Sequence, residues 1–560
     1  MPDNQQIDNG KSLDVIVVGA GFAGVYALYR LRKLGFNVRV YEAGGGVGGT
    51  WFWNKYPGAR CDVESTEYSY SFSEDLQQEW NWTERYAGQP EILNYINHVV
   101  ERYKLSPDIQ LNTRVASLVY SEKDNYWTAT TDQGEVVSAR YCVMATGNLS
   151  VPKLANIKGL ESFTGDTYHT GLWPSNSLDL RGKRIGVIGT GSSAIQAIPL
   201  LAEQAEQLYV FQRSPNYCFP ARNRMLEPEY LTTTKANYPA LRKAARNSAS
   251  GNALYSIPEK PALSVSTSER EALYEERWAG GGLNFLRAYT DLVTNKDANK
   301  TAQDFIAGKI LTKVQDKAIA QTLTPKDHYL GSRRPCTGTN YYETYNRNNV
   351  TLVDVRKDPI TQIVAKGVQT EKELYPLDVL VSATGFEAIT GALKNIAISV
   401  DQGQTLNQTW AAGPKTYLGL MTAGFPNFFL VTGPGSPSIL TNMLPAIEQH
   451  VDWIGCCLHH LRTQGLNRID VDITYQDDWA QHLNEQAAKT LLPLSSAWYV
   501  NTPVDGEPAW FPLYVGSFGV YTDKCDQVAA DGYTGFVLST VGSDCTNRTL
   551  GSLVKEAVLQ

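Results

Sequence analysis

The chain has 560 residues but only eight cysteines, at Cys61, Cys142, Cys218, Cys336, Cys456, Cys457, Cys525 and Cys545. None stands in a C-x-x-C or zinc-like spacing, which excludes a disulfide framework and predicts reduced thiols and no metal. No apolar run approaches the ~18 residues of a membrane span, and the start, MPDNQQIDNGK, lacks a hydrophobic signal core. No membrane contact and a cytoplasmic location are therefore expected. Net charge is −7 and no Lys/Arg run stands out, so no nucleic-acid partner is expected. The length suits two to four domains at about 100–200 residues each.

Two glycine signatures are present. The run LDVIVV, residues 13–18, leads into GAGFAG at Gly19–Gly24, with Gly19, Gly21, Phe22 and Gly24. An apolar-periodic stretch follows, then NVRVYE ending at Glu42. Strand, glycine loop, helix and an acid about 20 residues on make a dinucleotide-binding unit. An acid at the ribose repels a 2′-phosphate, so this unit is expected to hold FAD or NAD. The second signature, GTGSSA, carries Gly189, Gly191, Ser192 and Ser193 between RIGVIG and QLYVFQR. Here the ribose position holds Arg213 followed by Ser214, and a guanidinium with a hydroxyl selects NADP.

The predicted fold class is α/β, with two Rossmann-like dinucleotide-binding domains and a helical insertion in the second. Residues 1–150 and 388–540 form the FAD domain. Residues 151–220 and 333–387 form the NADP domain, with 151–180 a linker and 221–332 the insertion. Ser268-x-x-Glu271 reads as a capping box inside that insertion, and helical patterns surround 283–293 and 302–314. The turns VMATGN, Val143–Asn148, and VSATGF, Val381–Phe386, echo one another. Residues 541–560 read as a tail.

A flavin that accepts hydride from a nicotinamide can pass electrons to a cysteine pair, but Cys61 stands alone after the first glycine loop. The other fate is reaction with oxygen. Keeping a peroxide anionic calls for a permanent cation. Arg333 and Arg334, on a loop returning to the second domain, supply one, and Asp62 near the flavin could hold such an arginine.

Two longer patterns carry a resemblance. FTGDTYHTGLWP, residues 163–174, matches F-x-G-x-x-x-H-x-x-x-W-P at Phe163, Gly165, His169, Trp173 and Pro174. Gly49, Trp51, Tyr56, Pro57, Gly58 and Asp62 match G-x-W-x-x-x-x-Y-P-G-x-x-x-D. On these the chain resembles the type I Baeyer–Villiger monooxygenases. The resemblance implies FAD and NADPH as cofactors, and a ketone and O₂ as substrates converted to an ester or lactone through a flavin peroxide and a tetrahedral Criegee adduct; a monomer is expected. It implies that Arg334 stabilises that anion and Asp62 orients Arg334. Gly49, Thr50 and Trp51 join the FAD site. Arg213, Ser214 and Arg333 face the NADP 2′-phosphate, where the family usually has Lys at 333. Trp498 holds the nicotinamide nucleotide, and Ser438, Ile439, Leu440 and Met443 line the ketone pocket. His169 is implied to couple domain motion to cofactor binding, not to transfer protons. Oxidation of sulfides or amines is the alternative activity.

Overall fold

A computed structural model describes residues 13–176, 178–401, 403–494 and 511–541. Trp498, and the tail beyond 541, lie outside the described residues. Two mainly parallel sheets carry the two glycine signatures. In the first, Leu13–Val18 lies between parallel neighbours Val38–Tyr41 and Val136–Met144. A strand flanked in this way must be apolar on both faces, and Val15, Ile16 and Val17 are fully buried. An antiparallel meander, Val115–Ser121, Tyr126–Thr131 and Val136–Met144, extends the sheet. Late strands rejoin it: Phe428–Leu430 pairs with Val136–Met144, and Ala397–Val400 pairs with Val115–Ser121.

The second sheet has five parallel strands, in the order Val350–Asp354, Gln207–Gln212, Arg184–Ile188, Val379–Ser382 and Asp166–His169. Its last member corrects the expectation of a linker over 151–180. Asp166–His169 is an edge strand, only partly covered, so it lacks the apolar run that marks its inner neighbours. Beyond it Trp173 turns back onto Tyr168, ring centroids 5.4 Å apart.

The insertion holds helices Pro228–Ala236, Tyr238–Asn247, Thr267–Gly280, Lys296–Lys313 and Lys317–Leu323. Two expectations fail here. The cap of Thr267–Gly280 is Ser266, whose hydroxyl accepts the Glu269 amide at 3.2 Å; Ser266-x-x-Glu269 repeats, two residues earlier, the pattern read at Ser268. Residues 283–293 form no α-helix. Gly281 and Gly282, at φ +71° and +72°, stop the preceding helix, and only a short 3₁₀ turn, Gly282–Arg287, follows.

Candidate active site

The two glycine loops are built alike. Gly19 (φ +103°) and Gly189 (φ +111°) each begin a sharp turn, and a Cβ would lie 2.6 Å from the Ala145 carbonyl oxygen in one and 2.5 Å from that of Ala383 in the other. The echoed turns at 145–147 and 383–385 are therefore the walls against which the glycines turn. Helices Phe22–Lys33 and Ser192–Gln204 begin after Gly21 and Gly191 with no side-chain cap, which leaves their first-turn amides to a ligand anion.

At the first loop, Glu42 is buried and accepts the amides of Ala20 and Gly44, each at 2.7 Å. A carboxylate has about four acceptor positions, so ribose hydroxyls can still be bound. Gly49 closes over Gly21; a Cβ on it would sit 3.0 Å from the Gly21 Cα. Phe22 is buried against Tyr70 and Tyr95. Thr50 is exposed at the start of the turn Thr50–Trp53, and Trp51 donates to the Tyr68 hydroxyl at 3.1 Å. This cradle of small residues, helix amides and acid fits a flavin dinucleotide.

At the second loop the ribose end differs. Arg213 is exposed and makes no ion pair among the described residues. Ser214 is partly buried; its carbonyl accepts the Thr190 hydroxyl at 3.0 Å. Arg333 bears its charge on Asp327 and His328. The assembly of cations and a hydroxyl fits the 2′-phosphate of NADP.

Between the two cradles the 49–62 motif crosses to the second unit. The Tyr56 hydroxyl donates to Gln196 Oε1 at 2.8 Å, and Gln196 Nε2 donates to the Arg60 carbonyl at 3.1 Å. Ser193 lies beside the Tyr56 hydroxyl, and Ser192 beside the Cys336 thiol. Gly58 (φ +82°) passes so close that a Cβ would lie 2.6 Å from the Gln196 carbonyl oxygen. Two residues past Arg60, Asp62 meets Arg334 in a two-point ion pair, Nη2 to Oδ1 at 2.9 Å and Nε to Oδ2 at 3.1 Å. Arg334 Nη1 donates to the Ile439 carbonyl at 2.7 Å. Asn216, just past Ser214, donates to the Arg334 carbonyl at 3.1 Å. The guanidinium thus joins segments 272 and 105 residues away. Burial opposes its charge, but the Asp62 carboxylate more than compensates, and its pKa stands above the ordinary arginine value.

The four expected pocket residues divide. Ser438 is fully buried and its hydroxyl accepts the Asn148 amide at 2.6 Å, which ties it to the first echoed turn. Ile439 is 8% exposed and packs with Ile389, Leu492, Phe511 and Leu513, with Leu440 beside them. Met443 opens the helix Met443–Thr463 and is partly buried. His169 is buried at the end of its edge strand. Its Nδ1 accepts the Gly171 amide at 3.0 Å and its Nε2 lies 3.4 Å from the Thr384 hydroxyl. Burial lowers its pKa, so it is a neutral brace on the second echoed turn.

Three groups escaped sequence reading. Tyr255, from the insertion, lies within electrostatic reach of Arg334 and Asp62. Glu67 accepts the amides of Ala253 and Leu254. Asp327 accepts the Ser214 hydroxyl at 3.2 Å. No motif spacing marks any of them. Among the described residues, no group of His, Cys, Asp and Glu could hold a metal, and no helix is long and apolar enough to cross a membrane.

The profile of the pyridine nucleotide-disulphide oxidoreductase family matches residues 16–244. A solved steroid monooxygenase, oxidized and bound to NADP, is 49% identical with a TM-score of 0.90, covering 95% of this chain and 100% of that one. The cyclohexanone 1,2-monooxygenase of an Acinetobacter species is 38% identical, over 95% of this chain and 97% of its own. The phenazine N-monooxygenase of Lysobacter antibioticus is 41% identical, over 95% and 98%. A Baeyer-Villiger monooxygenase of Pseudooceanicola batsensis is 39% identical, over 95% and 98%. With these likenesses spanning nearly the whole chain, and an arginine–aspartate pair set between two dinucleotide cradles, the chain belongs to the flavin-dependent Baeyer–Villiger monooxygenases.

Proposed function

We propose that this protein converts ketones to esters or lactones with NADPH and O₂, and that the Arg334–Asp62 pair is where the oxygen anion is held. FAD, when bound, would pass the electrons of NADPH to O₂ and so supply the activated oxygen. The carrying observation is the two-point bond of Arg334 to Asp62 where the two nucleotide units meet. A guanidinium has five N–H bonds. Two go to Asp62 and one to Ile439, so two remain for an oxygen anion. A fixed cation at a partly water-excluded site stabilises developing negative charge without reorganising. Asp62 keeps the guanidinium plane oriented. Glu42 serves the FAD ribose, and Arg213, Ser214 and Arg333 serve the NADP 2′-phosphate. Leu440 and Met443 supply apolar contacts to the ketone.

The phenazine N-monooxygenase relative favours a second reading, oxidation of soft nitrogen or sulfur. The discriminating experiment offers the FAD-loaded protein linear, aryl, small-ring, large-ring and steroid ketones beside a sulfide and an aromatic N-heterocycle. Product mass and NADPH use are scored together. Esters or lactones formed in step with NADPH use are expected; heteroatom oxides with no ester from any ketone would contradict the main reading.

A further inference from the structure

The first nucleotide unit carries its acid, Glu42, on its own second strand. The second unit replaces it with Arg213 and Ser214, yet an acid reaches the same place from elsewhere in the chain. Asp327 follows the helix Lys317–Leu323 and takes the Ser214 hydroxyl hydrogen, Oγ to Oδ2 at 3.2 Å. The same oxygen lies 3.4 Å from Arg356 Nη1, and Oδ1 lies 2.8 Å from His328 Nδ1. The His328 side chain is fully buried, so Asp327 is held in place from behind. Burial works against its charge, but His328, Arg333 and Ser214 together keep its pKa below the ordinary value.

A serine hydroxyl has a single hydrogen. Ser214 cannot give it to Asp327 and to a 2′-phosphate at once. The carboxylate also sets a negative charge beside an incoming dianion and occupies cations that would otherwise face it. A ribose 2′-hydroxyl, by contrast, can donate to that carboxylate, as it does to the acid of an NAD-selective unit. We propose that Asp327 is a specificity-determining residue that holds down this chain's preference for NADPH over NADH. Specificity here is a difference of affinities, with Arg213 and Asp327 acting in opposite directions. The inference rests on the reading of Arg213 and Ser214 as the 2′-phosphate site.

The test uses the FAD-loaded full chain and calorimetric titration with adenosine 2′,5′-bisphosphate and with 5′-AMP. Their affinity ratio isolates the 2′-phosphate without turnover. Asp327→Asn is expected to raise the ratio about fivefold, and less as salt increases. Asp327→Ala should move it the same way, which guards against an effect of the new amide. The KM for NADPH should fall relative to that for NADH in both. An unchanged or lowered ratio in both Asp327 variants, with a collapsed ratio in Arg213→Ala, overturns the proposal; a lowered one would mean that Asp327 aligns Arg356 for the phosphate. An unchanged ratio in Arg213→Ala removes the 2′-phosphate reading itself.

Discussion

The two dinucleotide units share one plan and differ at one end. Both turn on a positive-φ glycine pressed against the alanine carbonyl of an Ala-Thr-Gly turn, Gly19 on Ala145 and Gly189 on Ala383. Both start a helix without a side-chain cap. They part at the end of the second strand, where the first has Glu42, buried and bonded to two amides, and the second has exposed Arg213. On the proposed reading the shared plan holds a pyrophosphate and the strand end chooses the ribose. On that reading neither unit alone holds the chemistry. Arg334 and Asp62 come from loops of different units, and only the crossing of the 49–62 motif onto Gln196 brings them together.

The largest effects should come from breaking the shared plan on one side at a time. A Cβ at Gly24 would lie 1.8 Å from the Gly19 carbonyl oxygen, so Gly24→Ala should yield protein without FAD, read as loss of the flavin absorbance. Gly189→Ala, at a φ few L-residues adopt, should stay yellow but lose NADPH-driven flavin reduction. If both variants lost FAD, the two units would not be separable in this way.

Exchanging charge at the strand ends should act less strongly. Glu42→Gln weakens charge-assisted bonds to two amides and should raise the Kd for FAD about tenfold. Arg213→Ala should raise the Kd for NADPH about tenfold and leave that for NADH unchanged. Fluorescence titration of each variant with both cofactors checks that each change stays in its own unit.

The last effect is on stability alone, with cofactor binding untouched, and concerns the clasp between the insertion and the first unit. Glu67 is 4% exposed, and its second oxygen finds no hydrogen-bond partner among the described residues. Burial, against the pull of the Ala253 and Leu254 amides, pushes its pKa up to about 7. For a carboxylate raised in the folded state, the associated stability is present below the unfolded value near 4.5 and is lost as pH rises through about 7. Glu67→Gln should therefore be less pH-dependent and gain about 2 kcal/mol over the natural chain at pH 8. Urea unfolding at pH 5 and pH 8 measures it. Glu448, also raised to about 7 by burial, keeps part of the slope.

What the sequence made legible was local. LDVIVV before GAGFAG and Glu42 after it lie within 30 residues, where strand, turn and helix periodicities add up. Asp62 closes a recognisable pattern, whereas the sequence offers Arg334 only as one of two adjacent arginines on a returning loop, and the family resemblance singles it out. The rest depends on contacts across long separations. Gln196 meets Tyr56 140 residues away and Asp327 meets Ser214 113 residues away, and a lone Gln or Asp carries no spacing that says so. Asp166–His169 was hidden by position: an edge strand needs only one covered side, so its composition reads as loop. Ser266 and Ser268 offer the same cap pattern, and packing of the helix decides between them.

The central claim is that Arg334 holds the oxygen anion and has no part in loading the cofactors. It is tested most directly by Arg334→Ala, following flavin reduction by NADPH without oxygen and ester formation with oxygen in the same preparation. The account predicts flavin still reduced by NADPH and ester formation lower by about 10²–10³-fold or more. Ester formation at the rate of the natural chain would contradict it.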